Sequence, residues 1–176
     1  MNVIGEKIEL RAIETSDKDI LLELINDPDI EVGLGGWSFP VSDSEQVKWI
    51  DNLIKSEDTF RSMIVDRDKE MSLGTAMLTE IDYKNGTAEI HIKISKKFQR
   101  MNVGSQVIKL LTDYAFSELR LNCIFANILV SNKSSQKLFE KCGFIKEGIL
   151  RERIFKQGEY KDVLSYSLLY RDSGRN

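Results

Sequence analysis

The sequence is poor in the residues that mark several large classes of protein. Its 176 residues include two cysteines, two prolines and one histidine. Two thiols, Cys123 and Cys142, are too few for a disulfide-stapled secreted scaffold and read instead as small buried apolar side chains. With His91 as the lone histidine, no Cys/His cluster can form and no metal site is expected. No run of eighteen apolar residues occurs, so no membrane span is expected. Residues 1–11 mix Glu6, Lys7 and Glu9 into their apolar positions, where a signal peptide needs an uninterrupted stretch. A cytoplasmic protein is the expectation. A net charge of −3 and a pI of about 5.4 have the wrong sign for a general nucleic-acid binder. The mild acidic balance suits a cationic substrate, but many unrelated enzymes share it.

What is present is ordinary globular composition, 41% hydrophobic and 30% charged, at a length that suits one domain. No repeat, linker or low-complexity tract divides the chain, so residues 1–176 read as a single domain with an ordered core at about 6–170. Residues 6–12 alternate apolar and polar as a half-buried strand does. Thr15 or Ser16 can cap a helix with Ile20, Leu21, Leu24 and Ile25 on one face, ending before Pro28. Residues 27–40 read as irregular, and a second helix is expected from Ser42 or Asp43 to Lys55 with Val47, Ile50 and Ile54 inward. Strands follow at 60–65, 72–81 and 87–95, the last two joined by an Asn85-Gly86 hairpin turn.

From residue 104 the period becomes helical: Val107, Ile108, Leu111, Ala115 and Leu119 share a face. Residues 123–130 suit a buried strand, 134–142 a short helix closed by Gly143, and 144–170 two strands turning at Gln157-Gly158. The whole is α/β, a mixed and mostly antiparallel central sheet flanked by helices.

The informative segment is Gln99-Arg100-Met101-Asn102-Val103-Gly104-Ser105, which leads from a strand into the long amphipathic helix. The first amides of a helix lack internal partners and the dipole is positive there, so such a loop can cradle a pyrophosphate. Asn102 tolerates left-handed φ, and Gly104 allows close approach. The plainer reading is a strand-to-helix turn that happens to contain a glycine. Neither the Walker pattern nor the three-glycine dinucleotide pattern is present.

The stretch from Ala88-Glu89-Ile90-His91-Ile92 through Gly104 to Phe116 resembles the GNAT superfamily of N-acetyltransferases, whose acetyl-CoA loop has the form Gln/Arg-x-x-Gly-x-Gly/Ala. Asn132-Lys133-Ser134-Ser135-Gln136-Lys137-Leu138-Phe139-Glu140-Lys141-Cys142-Gly143-Phe144 is similar to that family's second cofactor motif. Ile8-Glu9-Leu10-Arg11, Glu147-Gly148 and Gly158-Glu159-Tyr160-Lys161-Asp162 resemble its ribosomal-protein and polyamine acetyltransferase branch. The resemblance implies a single GNAT domain that transfers acetyl from acetyl-CoA to a primary amine, on a small molecule or a protein N-terminus. A non-catalytic acyl-CoA-binding module of the same fold is the alternative. It also leaves a homodimer open, and no nucleic-acid or membrane partner is expected.

Two departures stand out. Asn102 occupies the family's first loop glycine and is a mild replacement there. Phe139 occupies the place of the tyrosine that protonates the departing thiolate in many members, and a phenyl ring has no proton to give.

Carried over by resemblance, Ile92 and Ile94 would bond pantetheine through their backbone, and the loop Gln99 to Ser105 would hold the pyrophosphate. Asn132 and Ser135 would touch the cofactor, although Asn132 could equally cap the next helix. Trp37 and Phe39 would line the acceptor site or plug the core edge. Attack on a thioester needs a neutral amine, so a proton acceptor is required. Glu89 is the first candidate and His91, on the same side of the strand, the second; a water chain or a purely structural pair are the alternatives.

Overall fold

The computed structural model describes residues 2–35, 39–53 and 58–174. An eight-stranded sheet runs through them in the order β1 (Val3–Ile4), β2 (Ile8–Arg11), β3 (Phe60–Asp66), β4 (Met71–Asp82), β5 (Thr87–Ile94), β6 (Cys123–Leu129), β8 (Glu159–Leu169), β7 (Ile145–Lys156). Every neighbouring pair is antiparallel except β5 and β6.

β3 shows how the layers form. Its residues 62–65 are buried without alternation, which requires cover on both faces. Met63 and Val65 pack with Leu21 of α1 (Lys18–Asn26) and Ile50 of α3 (Asp43–Asp51). Ile64 turns the other way, toward α4 (Val103–Ser117), whose Val107, Ile108, Leu111 and Ala115 form one wholly buried face. Burying a side chain such as Leu111 contributes about 1.5–3 kcal/mol, so this stripe holds α4 flat against the sheet. α5 (Lys133–Lys141) lies on α4's side and buries Phe139 edge-on against Phe144, with ring centroids 4.9 Å apart.

Several expectations need correction. Residues 27–40 are not wholly irregular, since α2 (Pro28–Val32) starts with Asp27 accepting from the amides of Asp29 and Ile30 and with proline at its first position. α1 is not capped by Thr15 or Ser16. A 3-10 turn at 15–17 precedes it, held by Asp17, which is 4% exposed and paired with both terminal nitrogens of Arg11 at 2.7 Å. Ser42 does cap α3 in a capping box with Glu45, but that helix stops at Asp51, and Ile54 lies outside the described residues. In the β4–β5 turn only Gly86 has positive φ. The Asp82 carboxylate makes the bend by accepting from the amides of Lys84 and Asn85. Gln157 and Gly158 both take positive φ, as the tight β7–β8 hairpin demands.

Candidate active site

The parallel pair β5–β6 is joined only at Thr87–Cys123, Ala88–Ile124 and Glu89–Phe125. Beyond Glu89 the strands part: β5 stays registered with β4 as far as Ile94, while β6 stays with β8 as far as Leu129. The gap leaves inner-edge backbone groups of both strands without a strand partner. Such groups must find other hydrogen bonds, so the cleft suits a ligand that carries amides of its own. The cleft opens at one end into a groove of about 780 Å³ and at the other into a cavity of about 410 Å³.

The groove is bounded by the N-termini of two helices that differ in one respect. α5 is capped: Asn132 Oδ1 accepts from the Ser135 amide at 3.0 Å and the Ser134 hydroxyl at 3.0 Å. α4 is not, because the side chain of its N-cap, Asn102, makes no capping bond and accepts from Ser105 Oγ instead. Asn102 has φ of 62° and Arg100 also has 62°, so two left-handed residues turn the chain into the helix. The uncapped first turn of α4 faces a groove that Arg100, Lys137 and Lys141 also line. Helix amides without intrahelical acceptors, a positive helix end and three cations give this groove the chemistry to hold a phosphorylated ligand.

The cavity carries a row of side chains from alternate positions of β5. Ala88 and Ile90 face the core with α4, so Glu89, His91 and Lys93 share the other face. Glu89 Oε2 lies 3.5 Å from His91 Nε2, and Asn127 Nδ2 donates to Glu89 Oε1 at 3.0 Å. Thr79 Oγ1, beside a bulge in β4, lies 2.9 Å from the same imidazole nitrogen. Burial pushes the Glu89 carboxyl up, but His91 and Asn127 outweigh it and hold it below its ordinary 4.5. A carboxylate at 12% side-chain exposure, beside an imidazole at 40%, is an ionised proton acceptor at neutral pH.

Matched against known families, residues 7–145 fit the acetyltransferase (GNAT) domain. The chain belongs to the GNAT family. It is an acetyl-CoA-dependent N-acetyltransferase with one GNAT-fold domain. The uncharacterized N-acetyltransferase p20 of Bacillus licheniformis is 31% identical over 95% of both chains. The spermidine N(1)-acetyltransferase of Vibrio cholerae is 29% identical over 91% of both. A crystal structure of the Vibrio cholerae spermidine N-acetyltransferase with CoA and spermine superposes at a TM-score of 0.89 and 27% identity. That match covers 97% of this chain and all of the other.

Within this GNAT frame the expected residues fall into three groups. Ile94, Gln99, Arg100, Asn102, Val103, Gly104 and Ser105 line the groove, and Ile92, Asn132 and Ser135 line both groove and cavity. Met101 is not among the lining residues, and its side chain is exposed. Phe39 is 67% exposed and is not among the residues lining the cavity, while Trp37 lies outside the described residues.

Two of these residues also have structural roles. A Cβ on Gly104 would come 2.8 Å from Leu138 Cδ2, so this glycine lets α4 and α5 pack closely. Asn132 is a cap, and its Nδ2 also donates to the Gly33 carbonyl at 2.8 Å, tying the chain beyond α2 to the start of α5.

Sequence reasoning missed three contributors: Glu31, Lys93 and Lys156. Lys156 is 7% exposed, and its ammonium pairs with Glu31 Oε1 at 2.7 Å and donates to the carbonyls of Glu31 and Leu34. This buried cation holds residues 31–34 over the cavity. Lys93 could have been found, since it continues the Glu89–His91 alternation; nothing local marks Lys156.

Proposed function

We propose that acetyl transfer takes place in the cleft between β5 and β6, to a primary amine that enters from the α1–α2 side. The observation that carries this is the parting of the two strands immediately after Glu89. It supports a site with backbone hydrogen-bonding edges, an uncapped helix end at its mouth and a carboxylate–imidazole pair at its base. The backbone of Ile92 and Ile94 would hold the pantetheine amides, and the first turn of α4 with Arg100 would hold the pyrophosphate. Acetyl-CoA supplies an activated thioester.

Glu89 and His91 take the proton that the amine sheds as its nitrogen bonds to the acetyl carbon. The carbon–sulfur bond breaks in the same transfer, and the proton gained by sulfur balances the one lost by nitrogen. Phe139 has none to give. Ser135, one turn earlier on α5 and lining both groove and cavity, is the candidate protein hydroxyl for that role.

The acceptor is a small-molecule amine, in keeping with relatives named for spermidine, or a protein N-terminus. Ile145, Ile149 and Phe155, exposed on edge strand β7, support assembly as a homodimer. Both cysteines are free, in keeping with a cytoplasmic location, and no described helix is long and apolar enough to cross a membrane. The test is thiol release from acetyl-CoA with a panel of amines, measured against unassisted hydrolysis. Amine-dependent release is expected; CoA binding with no amine-dependent release would favour the non-catalytic acyl-CoA module.

A further inference from the structure

Charge within the cavity is unevenly spread. At the Glu89 end there is one carboxylate, already engaged by His91 and Asn127. At the other end Lys93 and Glu31 line the wall, and the Lys156 ammonium, behind the wall, pairs with Glu31; among the described residues lining that end, Glu31 is the one carboxylate. Lys156 takes Glu31 in an ion pair, so that carboxylate is committed. Among the described residues nothing forms a hydrogen bond or ion pair with Lys93 Nζ, although its side chain is half-buried in the cavity wall. Burial pushes the Lys93 ammonium below its ordinary 10.5; Glu31 opposes this and Lys156 adds to it. A half-buried cation whose nearby carboxylate is shared with a second ammonium is under-compensated, and it favours an anion from outside the chain.

We propose that the acceptor is a primary amine that also bears an anionic group, and that Lys93 binds this group while the amine lies at Glu89 and His91. This rests on the transfer site described above and deepens it. The two ends of the cavity have opposite sign, which matches a zwitterion: ammonium toward the carboxylate, anion toward the under-compensated lysine. A polyamine fits poorly. Once one of its nitrogens is the nucleophile the others remain cationic, and Lys93 repels them while Glu31 is occupied. Glu89 and Lys93 are four residues apart on one strand, about 13 Å between Cα atoms, within which a lysine's reach brackets a short amino acid chain. Lys93 is thus a specificity-determining residue.

The experiment uses matched probes: 4-aminobutyrate, its neutral amide, phosphoethanolamine and spermidine. Each is assayed by thiol release and, with CoA present, by thermal shift. The wild-type enzyme is expected to prefer 4-aminobutyrate over its amide by roughly tenfold to hundredfold in kcat/KM, expressed in KM. The phosphoethanolamine arm tells whether phosphate serves as well as carboxylate. Lys93→Met should erase the preference by raising the 4-aminobutyrate KM far more than the amide KM, and should raise the melting temperature of the free protein by removing a half-buried, under-compensated charge. Only the wild type should gain a further thermal shift from 4-aminobutyrate.

Equal use of acid and amide, spermidine as the best acceptor, a uniform effect of Lys93→Met on all probes, or no turnover of any probe by a protein that binds CoA would each overturn the proposal. Failure of CoA to bind would instead take down the transfer site itself.

Discussion

The two ends of the cleft are built by different means. The groove end is made largely of backbone within residues 92–105, namely the first turn of α4, two left-handed residues before it and a strand edge, with the start of α5 along its other side. The cavity end is made of side chains from distant segments, Glu31, Glu89 to Lys93 and Asn127, with Lys156 bracing Glu31 from behind. Backbone recognition is generic, suiting a ligand that every member of a family shares. Side-chain recognition is particular, and it can change while the fold stays the same.

The largest effect expected at the cavity end is on chemistry. Glu89→Gln removes the ionised acceptor while keeping its shape, and should slow transfer roughly 10²–10⁴-fold with CoA affinity unchanged. Because the Glu89 carboxyl sits below its ordinary 4.5, it stays ionised across the neutral range and falls away only in stronger acid. The neutral-to-alkaline rise in rate should then follow the acceptor amine, with an ordinary pKa of about 10.4, and the Glu89→Gln defect should shrink along it. A normal rate for Glu89→Gln at neutral pH would make Glu89 structural and leave His91 or water as the base.

Next comes the clamp. Lys156→Met removes the ammonium that pairs with Glu31 and releases the carbonyls of Glu31 and Leu34. The expected loss is about 3 kcal/mol by chemical denaturation, the low end for a broken buried pair because Glu31 keeps a quarter of its side chain exposed. Acceptor KM should rise with it, and CoA binding should not change. A loss of CoA affinity would erase the distinction between the two ends.

At the groove end, Asn102→Val puts a β-branched residue at φ of 62°, where strain of roughly 1–2 kcal/mol is expected. CoA affinity should fall accordingly by isothermal titration, while Asn102→Gly should bind as well as the wild type. Equal binding by all three would mean the left-handed turn does not shape the site.

The smallest effect is expected from Phe139→Tyr. The ring is 3% exposed and packed edge-on against Phe144, yet it also lines the cavity. Turnover at fixed folded fraction should be unchanged or mildly raised; a large loss without unfolding would mean that the second motif is misaligned.

The same contrast explains what could be read from the chain alone. Asn102 was legible because its neighbours in sequence are its neighbours in space, and the amphipathic stripe of α4 is likewise local. Gly104 was legible as a loop glycine, but its packing against Leu138 was not, since Leu138 comes from another helix. The parting of β5 and β6 depends on which strand each one pairs with beyond Glu89, and periodicity does not encode that. The Lys156–Glu31 contact joins residues 125 positions apart. For Phe39 the sequence left two placements open, and the residue is exposed and not among those lining the cavity.

Amide hydrogen exchange with and without CoA tests the central claim most directly, because it locates the cofactor rather than merely detecting it. The first amides of α4, from Val103 to Ser105, have no intrahelical acceptor, and β5 has no strand partner on its inner edge past Glu89. CoA should slow exchange at Val103 to Ser105 and along residues 92–94, and leave the β7–β8 hairpin unchanged. CoA that binds without protecting either segment, or that protects only a surface elsewhere, would contradict the account.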